Sequence, residues 1–455
     1  MNSTIDRITI TGLHGKKKVD ARINGNCLVL VGENGSGKTT FLRILYHFIS
    51  GRWLPLLQFD FDSVSIVIDE VEFSVTREQL AKGFEQTDKR ILAELPSSVR
   101  RRLMDWVSTQ GVKEMPPDLE RWLHRTGLPL DAVIRQLEFY EENPRGSRKD
   151  LQESIQKIRG AINAQVLYLP TYRRIERELG SIFEGVDLDE LRARRGRMVR
   201  PDTNDTYVEL VEFGMKDVKL AIDDALSRLK EFARENLNSL TLRYLGDVVN
   251  QEYLSVKLSE IGSLQEETIR SVLDRLPEGI LTTSHKGQLL KLISDVRASA
   301  DLNEHGKIIC HYFLKLFHFL RLLKERESNI SAFCDLCSDY IVDKRFVYDS
   351  VNFGFRIVSN NLDVKEYEIG LSDLSSGEKQ IVSLFSHLYL SGRDRYFVLI
   401  DEPELSLSVP WQKRFLVDIK KGTFCAGLVA TTHSPFIYDN ELRPFAHAIG
   451  EYINV

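Results

Sequence analysis

No stretch constrains this chain more than Cys27-Leu28-Val29-Leu30, followed by VGENGSGKTT (residues 31–40) and then by FLRILYHFI. An apolar run, a glycine-rich turn and an amphipathic run in this order match the phosphate-binding pattern GxxxxGK[ST], read as Gly32, Gly35, Gly37, Lys38 and Thr39. The pattern requires a buried strand, a tight loop and a helix N-terminus. Backbone N–H groups of Asn34, Gly35, Ser36, Gly37, Lys38, Thr39 and Thr40 would close around a polyphosphate, aided by the positive end of the helix dipole. Lys38 adds a charge that makes it a catalytic candidate, and Thr39 offers a hydroxyl to Mg²⁺. The bland alternative is a glycine turn in an unrelated strand-to-helix join.

A chain of 455 residues is long enough for about two to four domains of ~100 to 200 residues. Hydrophobic residues at 42% and charged residues at 28% are the balance of a globular protein, not of a disordered or fibrous one. A net charge of −5 argues against a global affinity for nucleic acid, so any such affinity must be a local patch. The start, MNSTIDRITITGLHGKKK, lacks the design of a secretory signal. The most apolar stretch, IICHYFLKLFHFLRLL, is interrupted by Lys315 and reads as a core helix rather than a membrane span. Five scattered cysteines, an odd number, argue for reduced thiols. Together these features predict a cytoplasmic protein that does not engage a membrane.

The pattern of the chain predicts an α/β fold with large helical insertions. Residues 1–80 are strand-rich around the glycine loop, and 81–160 turn helical and charged. A short segment at 161–180 contains the strand-like VLYL. Residues 181–340 are helical again, and 341–455 return to strands. In the second helical region Val218, Ile222, Leu226 and Leu229 form a stripe at spacings of four and three, suited to a bundle or a short arm.

Three later motifs carry chemistry. YFVLIDEPE delivers Asp401 at the end of an apolar run, where it can hold the Mg²⁺ shell. Glu402 follows it, able to take a proton from attacking water. Upstream, Leu374-Ser375-Ser376-Gly377-Glu378 opens the helical run KQIVSLFSHLYL. Ser375, Ser376 and Gly377 form a second helix N-terminus fit for an anion; the bland alternative is a plain N-cap with Glu378 in the first turn. Finally, His433 in ATTHSPF follows the strand-like AGLVAT, positioned to sense a γ-phosphate, although a lone histidine is more often structural.

The order of these motifs resembles that of SMC/RecF-like ABC ATPases. LSSGE stands where those proteins carry LSGGQ, Asp401-Glu402 stand as the acidic pair, and His433 as the switch histidine. The segment Pro403 to Ser408 occupies the D-loop position, with Ser408 where many relatives carry histidine. The resemblance implies an ABC-type head with a mixed sheet flanked by helices. It also implies ATP with Mg²⁺, and a head-to-tail dimer in which the Ser375 helix of one copy caps the triphosphate held by its twin. YLPTYRRIE, DEPELSLSVPWQ and ATTHSPF further resemble the stand-alone ATPases of bacterial defence systems, near the OLD nucleases and similar to the ATPase subunits of PARIS anti-phage systems. With 22 residues after His433, no C-terminal Toprim nuclease is expected. That resemblance implies a homo-oligomer, a separate nuclease effector and a phage-encoded trigger protein; a DNA-binding repair ATPase of RecF type is the alternative.

Other features carry less. No glutamine follows VLYL to serve as the glutamine loop, since Gln165 precedes it; Arg173 or Arg174 reads as a contact for phosphate or a partner, and equally as a helix-surface arginine pair. Cys334-Asp335-Leu336-Cys337 lacks a second ligand pair and reads as buried thiols in a helix. LRARRGRMVRP (191–201) is a basic segment that reads as a solvated loop, or as a contact for nucleic acid or an acidic protein.

Overall fold

The computed structural model describes residues 4–15, 17–80, 147–170, 207–209, 215–255, 260–261, 264–275, 282–298, 303–359, 367–393, 395–405 and 407–454. The chain divides into two compact units, Met1–Glu212 with Arg393–Val455, and Phe213–Gly392. The stretch expected as one C-terminal lobe, 341–455, is therefore shared between them. Its first part associates with the long helices, and its last part with the glycine loop.

The first unit contains β1 (Ile5–Leu13), β2 (Lys17–Arg22), β3 (Cys27–Val31), α1 (Lys38–Ile49), β4 (Ser63–Ile68), β5 (Val71–Thr76), α2 (Ser147–Ile162), β6 (Gln165–Leu169) and β7 (Tyr207–Glu209). The mixed sheet expected from the sequence is realised as two. One has the order β13-β3-β12-β11-β6-β7, where β11 is Tyr396–Asp401, β12 is Cys425–Thr432 and β13 is Ala446–Ala448. Every neighbouring pair in it is parallel. All six residues of β11 and the last six of β12 are buried, as continuous apolar strands covered on both faces should be.

The other sheet is antiparallel, in the order β14-β2-β1-β4-β5 with β14 at Ile453–Asn454. Alternation in β4 turns Val64, Ile66 and Ile68 inward. Val64 and Ile66 pair with Ile10 and Ile8 of β1. These side chains join Phe41, Leu45 and Phe48 of α1 and Leu28 and Leu30 of β3 in one apolar cluster. Helix α2 adds Leu151, Ile155, Ile158 and Ile162 at spacings of four, three and four. Tyr46 of α1 stacks on Tyr168 of β6 with ring centroids 4.7 Å apart. Helix α1 is thus anchored on the parallel sheet, which fixes the glycine loop at its N-terminus.

The second unit is built on α3 (Met215–Val249) and α6 (Glu304–Tyr340), with α4 (Glu266–Asp274) and α5 (Thr283–Ala298) between them in the chain. At 37 residues, α6 runs about 55 Å. The stripe Val218, Ile222, Leu226 and Leu229 is buried as the spacing predicts. A small antiparallel sheet follows, of order β10-β9-β8, with β8 at Lys344–Asp349, β9 at Gly354–Ser359 and β10 at Glu368–Ile369. Helix α7 (Ser376–Leu390) packs against both long helices and buries Ile381, Leu384, Phe385 and Leu388. Cys334 and Cys337 are buried in α6. No helix among the described residues is long and apolar enough to cross a membrane.

Candidate nucleotide-binding site

Between β3 and α1 the backbone turns through two left-handed glycines, Gly35 at φ 83° and Gly37 at φ 99°. Any residue bearing a Cβ would be strained there by roughly 1–2 kcal/mol. Gly37 is the N-cap of α1, and the helix has neither a side-chain cap nor an acidic residue in its first turn. Its leading N–H groups and positive dipole end are left for an anion. Ser36 Oγ is buried with no hydrogen-bond partner among the described residues. An orphaned hydroxyl and an uncapped helix start fit a polar, anionic ligand.

Lys38 is only 4% exposed. Its Nζ donates to the carbonyls of Gly32 at 2.7 Å and Glu33 at 2.9 Å. The loop's own carbonyls therefore hold the ammonium beneath it, which keeps a buried charge solvated.

Strand order explains the acidic side. Because β12 lies between β3 and β11, Leu30, Thr431 and Asp401 stand side by side across the three strands. Asp401, 3% exposed, accepts at Oδ1 from Thr431 Oγ1 at 2.6 Å and from Thr39 Oγ1 at 2.9 Å. A hydroxyl and a carboxylate this close are oxygen donors of the kind Mg²⁺ takes alongside nucleotide phosphates. Thr39 and Asp401 would hold the ion, and the ion would supply charge neutralisation on the phosphate oxygens.

Glu402 adopts φ 51°, an uncommon conformation for a side-chain-bearing residue and one found at functional sites. Its N–H donates to Thr431 O at 2.9 Å, which ties the turn to β12. Burial pushes the Glu402 carboxyl above its ordinary value, with the charges of Asp401 and Glu404 adding to the shift. A carboxylate with a raised pKa is a better proton acceptor. His433 follows β12, with its side chain 44% exposed and Nδ1 2.9 Å from Glu404 Oε1.

Lys38, Thr39, Asp401, Glu402 and His433 thus belong to one unit, at the C-terminal ends of β3, β11 and β12 or at the start of α1. Asn34 and Gly35 are exposed in the loop, and Thr40 lies half-buried in the first turn of α1. Ser375, Ser376 and Gly377 lie in the other unit. Ser375 is the N-cap of α7, and its hydroxyl accepts from the Glu378 N–H at 3.4 Å. Glu378 Oε2 in turn accepts from the Ser375 N–H at 2.7 Å, completing a capping box. Lys344 Nζ sits 2.8 and 3.0 Å from the two Glu378 oxygens. Burial raises the Glu378 carboxyl, but the Lys344 contact and the Ser375 N–H outweigh it and leave the group below its usual range. Capping is therefore observed, and Ser375 and Ser376 remain exposed.

Gln165 is the first residue of β6, not a residue preceding it. It pairs with Tyr396 at the end of the sheet opposite Asp401, so it cannot serve the phosphate site. Arg173, Arg174, the basic segment 191–201 and Ser406 lie outside the described residues. Thr431, Glu404 and Lys344 escaped sequence reasoning. Two threonines closing an apolar run were the available signal for the first; nothing local marks the other two.

The strand order and this geometry define a P-loop nucleotide-binding fold of the α/β class. The family model described as "AAA domain, putative AbiEii toxin, Type IV TA system" matches residues 364–439, a span that includes Ser375, Asp401, Glu402 and His433. No curated protein matches the chain. Among solved structures, a Smc head domain with an extended coiled coil bound to the C-terminal domain of ScpA, from Pyrococcus furiosus, is 13% identical. It covers 96% of this chain and 92% of its own at a TM-score of 0.32. A SmcHead bound to the C-winged helix domain of ScpA is 12% identical, with 96% and 91% covered at a TM-score of 0.34. A Smc head domain with a coiled coil and joint from Pyrococcus yayanosii is 14% identical, with 96% and 93% covered at 0.29. At such scores these likenesses add nothing to the strand order and contacts above.

Proposed function

We propose that the chain is an ATP-hydrolysing sensor and scaffold subunit of a bacterial anti-phage defence system, similar to AriA of PARIS systems, that controls a separate Toprim-type nuclease. The observation that carries the hydrolytic part is Asp401, buried between the hydroxyls of Thr39 and Thr431, beside Glu402 with its raised pKa. In this reading Lys38 and the loop N–H groups bind the β and γ phosphates. Asp401 and Thr39 hold Mg²⁺, Glu402 takes the proton of the attacking water, and His433 senses the γ-phosphate.

The defence role is supported by the AbiEii-type family match over 364–439 and by the motif resemblance. ATP binding would close a head-to-tail dimer through the Ser375 helix, within a larger homo-oligomer, and hydrolysis would reopen it. A phage protein would be the trigger. The experiment is phosphate release by the full chain with MgATP, against K38A and E402Q. K38A should lose nucleotide binding, whereas E402Q should bind ATP and turn over at least 100-fold slower, as expected for loss of a general base. Wild-type turnover that survives in E402Q removes Glu402 from the base role. Turnover stimulated by DNA would favour the RecF-type alternative over the defence scaffold.

A further inference from the structure

Glu404 lies two residues beyond Glu402, is 6% exposed, and has no place in the reaction as drawn. Its Oε1 accepts from the backbone N–H of His433 at 2.9 Å and stands 2.9 Å from the ring Nδ1 of the same residue. Its Oε2 is buried with no partner among the described residues, so His433 is the partner that the geometry gives this carboxylate. A second strut runs parallel to the first. Gln412 Nε2 donates to the carbonyls of Leu407 at 2.9 Å and Glu404 at 3.4 Å, while its Oε1 accepts from Ser434 Oγ at 2.8 Å. The turn after the acidic pair and the turn carrying His433 are therefore joined through two side chains, one a carboxyl and one an amide.

We propose that Glu404 is a positioning residue that fixes the tautomer and direction of His433. An ionised carboxylate can only accept, so the ring nitrogen facing it must carry the proton. Which nitrogen of a histidine holds its proton is set by the bond the other one makes. Glu404 thus places the proton on Nδ1 and leaves Nε2 as the nitrogen presented to a phosphate. Any displacement of the Pro403–Leu405 turn is then passed to His433 through Oε1. The catalytic consequence rests on the ATP-hydrolysis reading; the tautomer does not.

Both halves are tested on the full chain. With ¹⁵N-labelled histidine, the His433 resonances are assigned by their loss in H433Q. In nucleotide-free wild type the ring should be in the Nδ1–H form, and in E404L it should shift toward Nε2–H. E404Q, whose amide oxygen can take the place of Oε1 beside the backbone N–H and Nδ1 of His433, should keep the wild-type tautomer. If leucine prevents folding, E404D withdraws the carboxylate by one methylene and should produce the same shift. In turnover, E404L should lower kcat on the order of 10- to 100-fold, the scale known for removal of the partner that orients a metal-bound histidine. KM for ATP should stay within a few-fold, and E404Q should recover most of kcat. A wild-type ring in the Nε2–H form, or an unchanged tautomer in both E404L and E404D, overturns the proposal even if ATP is hydrolysed normally. Absence of hydrolysis in wild type instead overturns the activity, and with it the catalytic role of Glu404, whatever the tautomer.

Discussion

The hydroxyl of Thr431 lies 2.6 Å from Oδ1 of Asp401, at a buried point where the middle strand of three presents its last residues. Thr39 reaches the same oxygen, so Asp401 is oriented from both sides before any ion arrives. Replacing Thr431 by valine keeps the shape and removes one donor to a buried carboxylate, which should cost about 1.5–3 kcal/mol of stability. It should also raise the Mg²⁺ concentration needed for half-maximal turnover by several-fold. Urea unfolding and a Mg²⁺ titration check the two effects, and wild-type behaviour in both would show that Asp401 does not depend on Thr431.

Glu402 gives a pH prediction with a definite sign. Burial, then Asp401 and Glu404, raise its pKa above the ordinary 4.5. A carboxyl whose folded-state pKa exceeds its unfolded value contributes stability below the unfolded pKa, and loses it as pH rises through the folded one. Ionised Glu402 is therefore a burden on the fold at neutral pH. E402Q should melt higher than wild type at pH 7, and the difference should vanish below about pH 4.5. Turnover should rise with pH on an acid limb whose midpoint lies above that of a free glutamate. Equal melting temperatures of the two proteins at pH 7 would contradict the raised pKa.

Much of this site was legible because its parts are local. The glycines, Lys38 and Thr39 are contiguous, and the apolar run before Asp401 announces a parallel strand by its composition alone. What the sequence could not disclose is lateral order. That β12 lies between β3 and β11, which turns Thr431 toward Asp401, depends on which strands become neighbours, and no residue pattern encodes that. The same holds for Glu404 and His433, 29 positions apart, and for Lys344, which meets Glu378 across 34. Helical periodicity was reliable for the stripe on α3. The separation of residues 213–392 into their own unit reflects packing between helices far apart in sequence.

The four buried cysteines should behave as inert core atoms, and the half-buried Cys425 should be slow with them. Burial pushes Cys27 and Cys310 up to about 11 and Cys334 and Cys425 up to about 12, and Cys337 is raised well above its ordinary value. Since the thiolate is the reactive form, a disulfide reagent at pH 8 should react with the native protein far more slowly than with protein in 6 M guanidinium. Rapid labelling of Cys334 or Cys337 in the native state would show that α6 opens locally.

Ser375 allows the shared-site reading to be separated from plain capping. As an N-cap alone, S375A should cost about 1 kcal/mol and leave turnover per folded molecule unchanged. If the Ser375 helix instead completes the site on a second copy, S375A should bind ATP normally and be nearly inactive, and K38A should be inactive for lack of a working loop. Mixing the two inactive variants then decides the matter. A mixed dimer pairs the intact loop of S375A with the intact Ser375 helix of K38A, so one of its two sites is whole. With random pairing half of the dimers are mixed, and turnover should recover to about one quarter of wild type, the value a two-fold symmetric dimer dictates. Sites complete within one chain would show no recovery at any mixing ratio, because every chain in the mixture would carry a damaged site of its own.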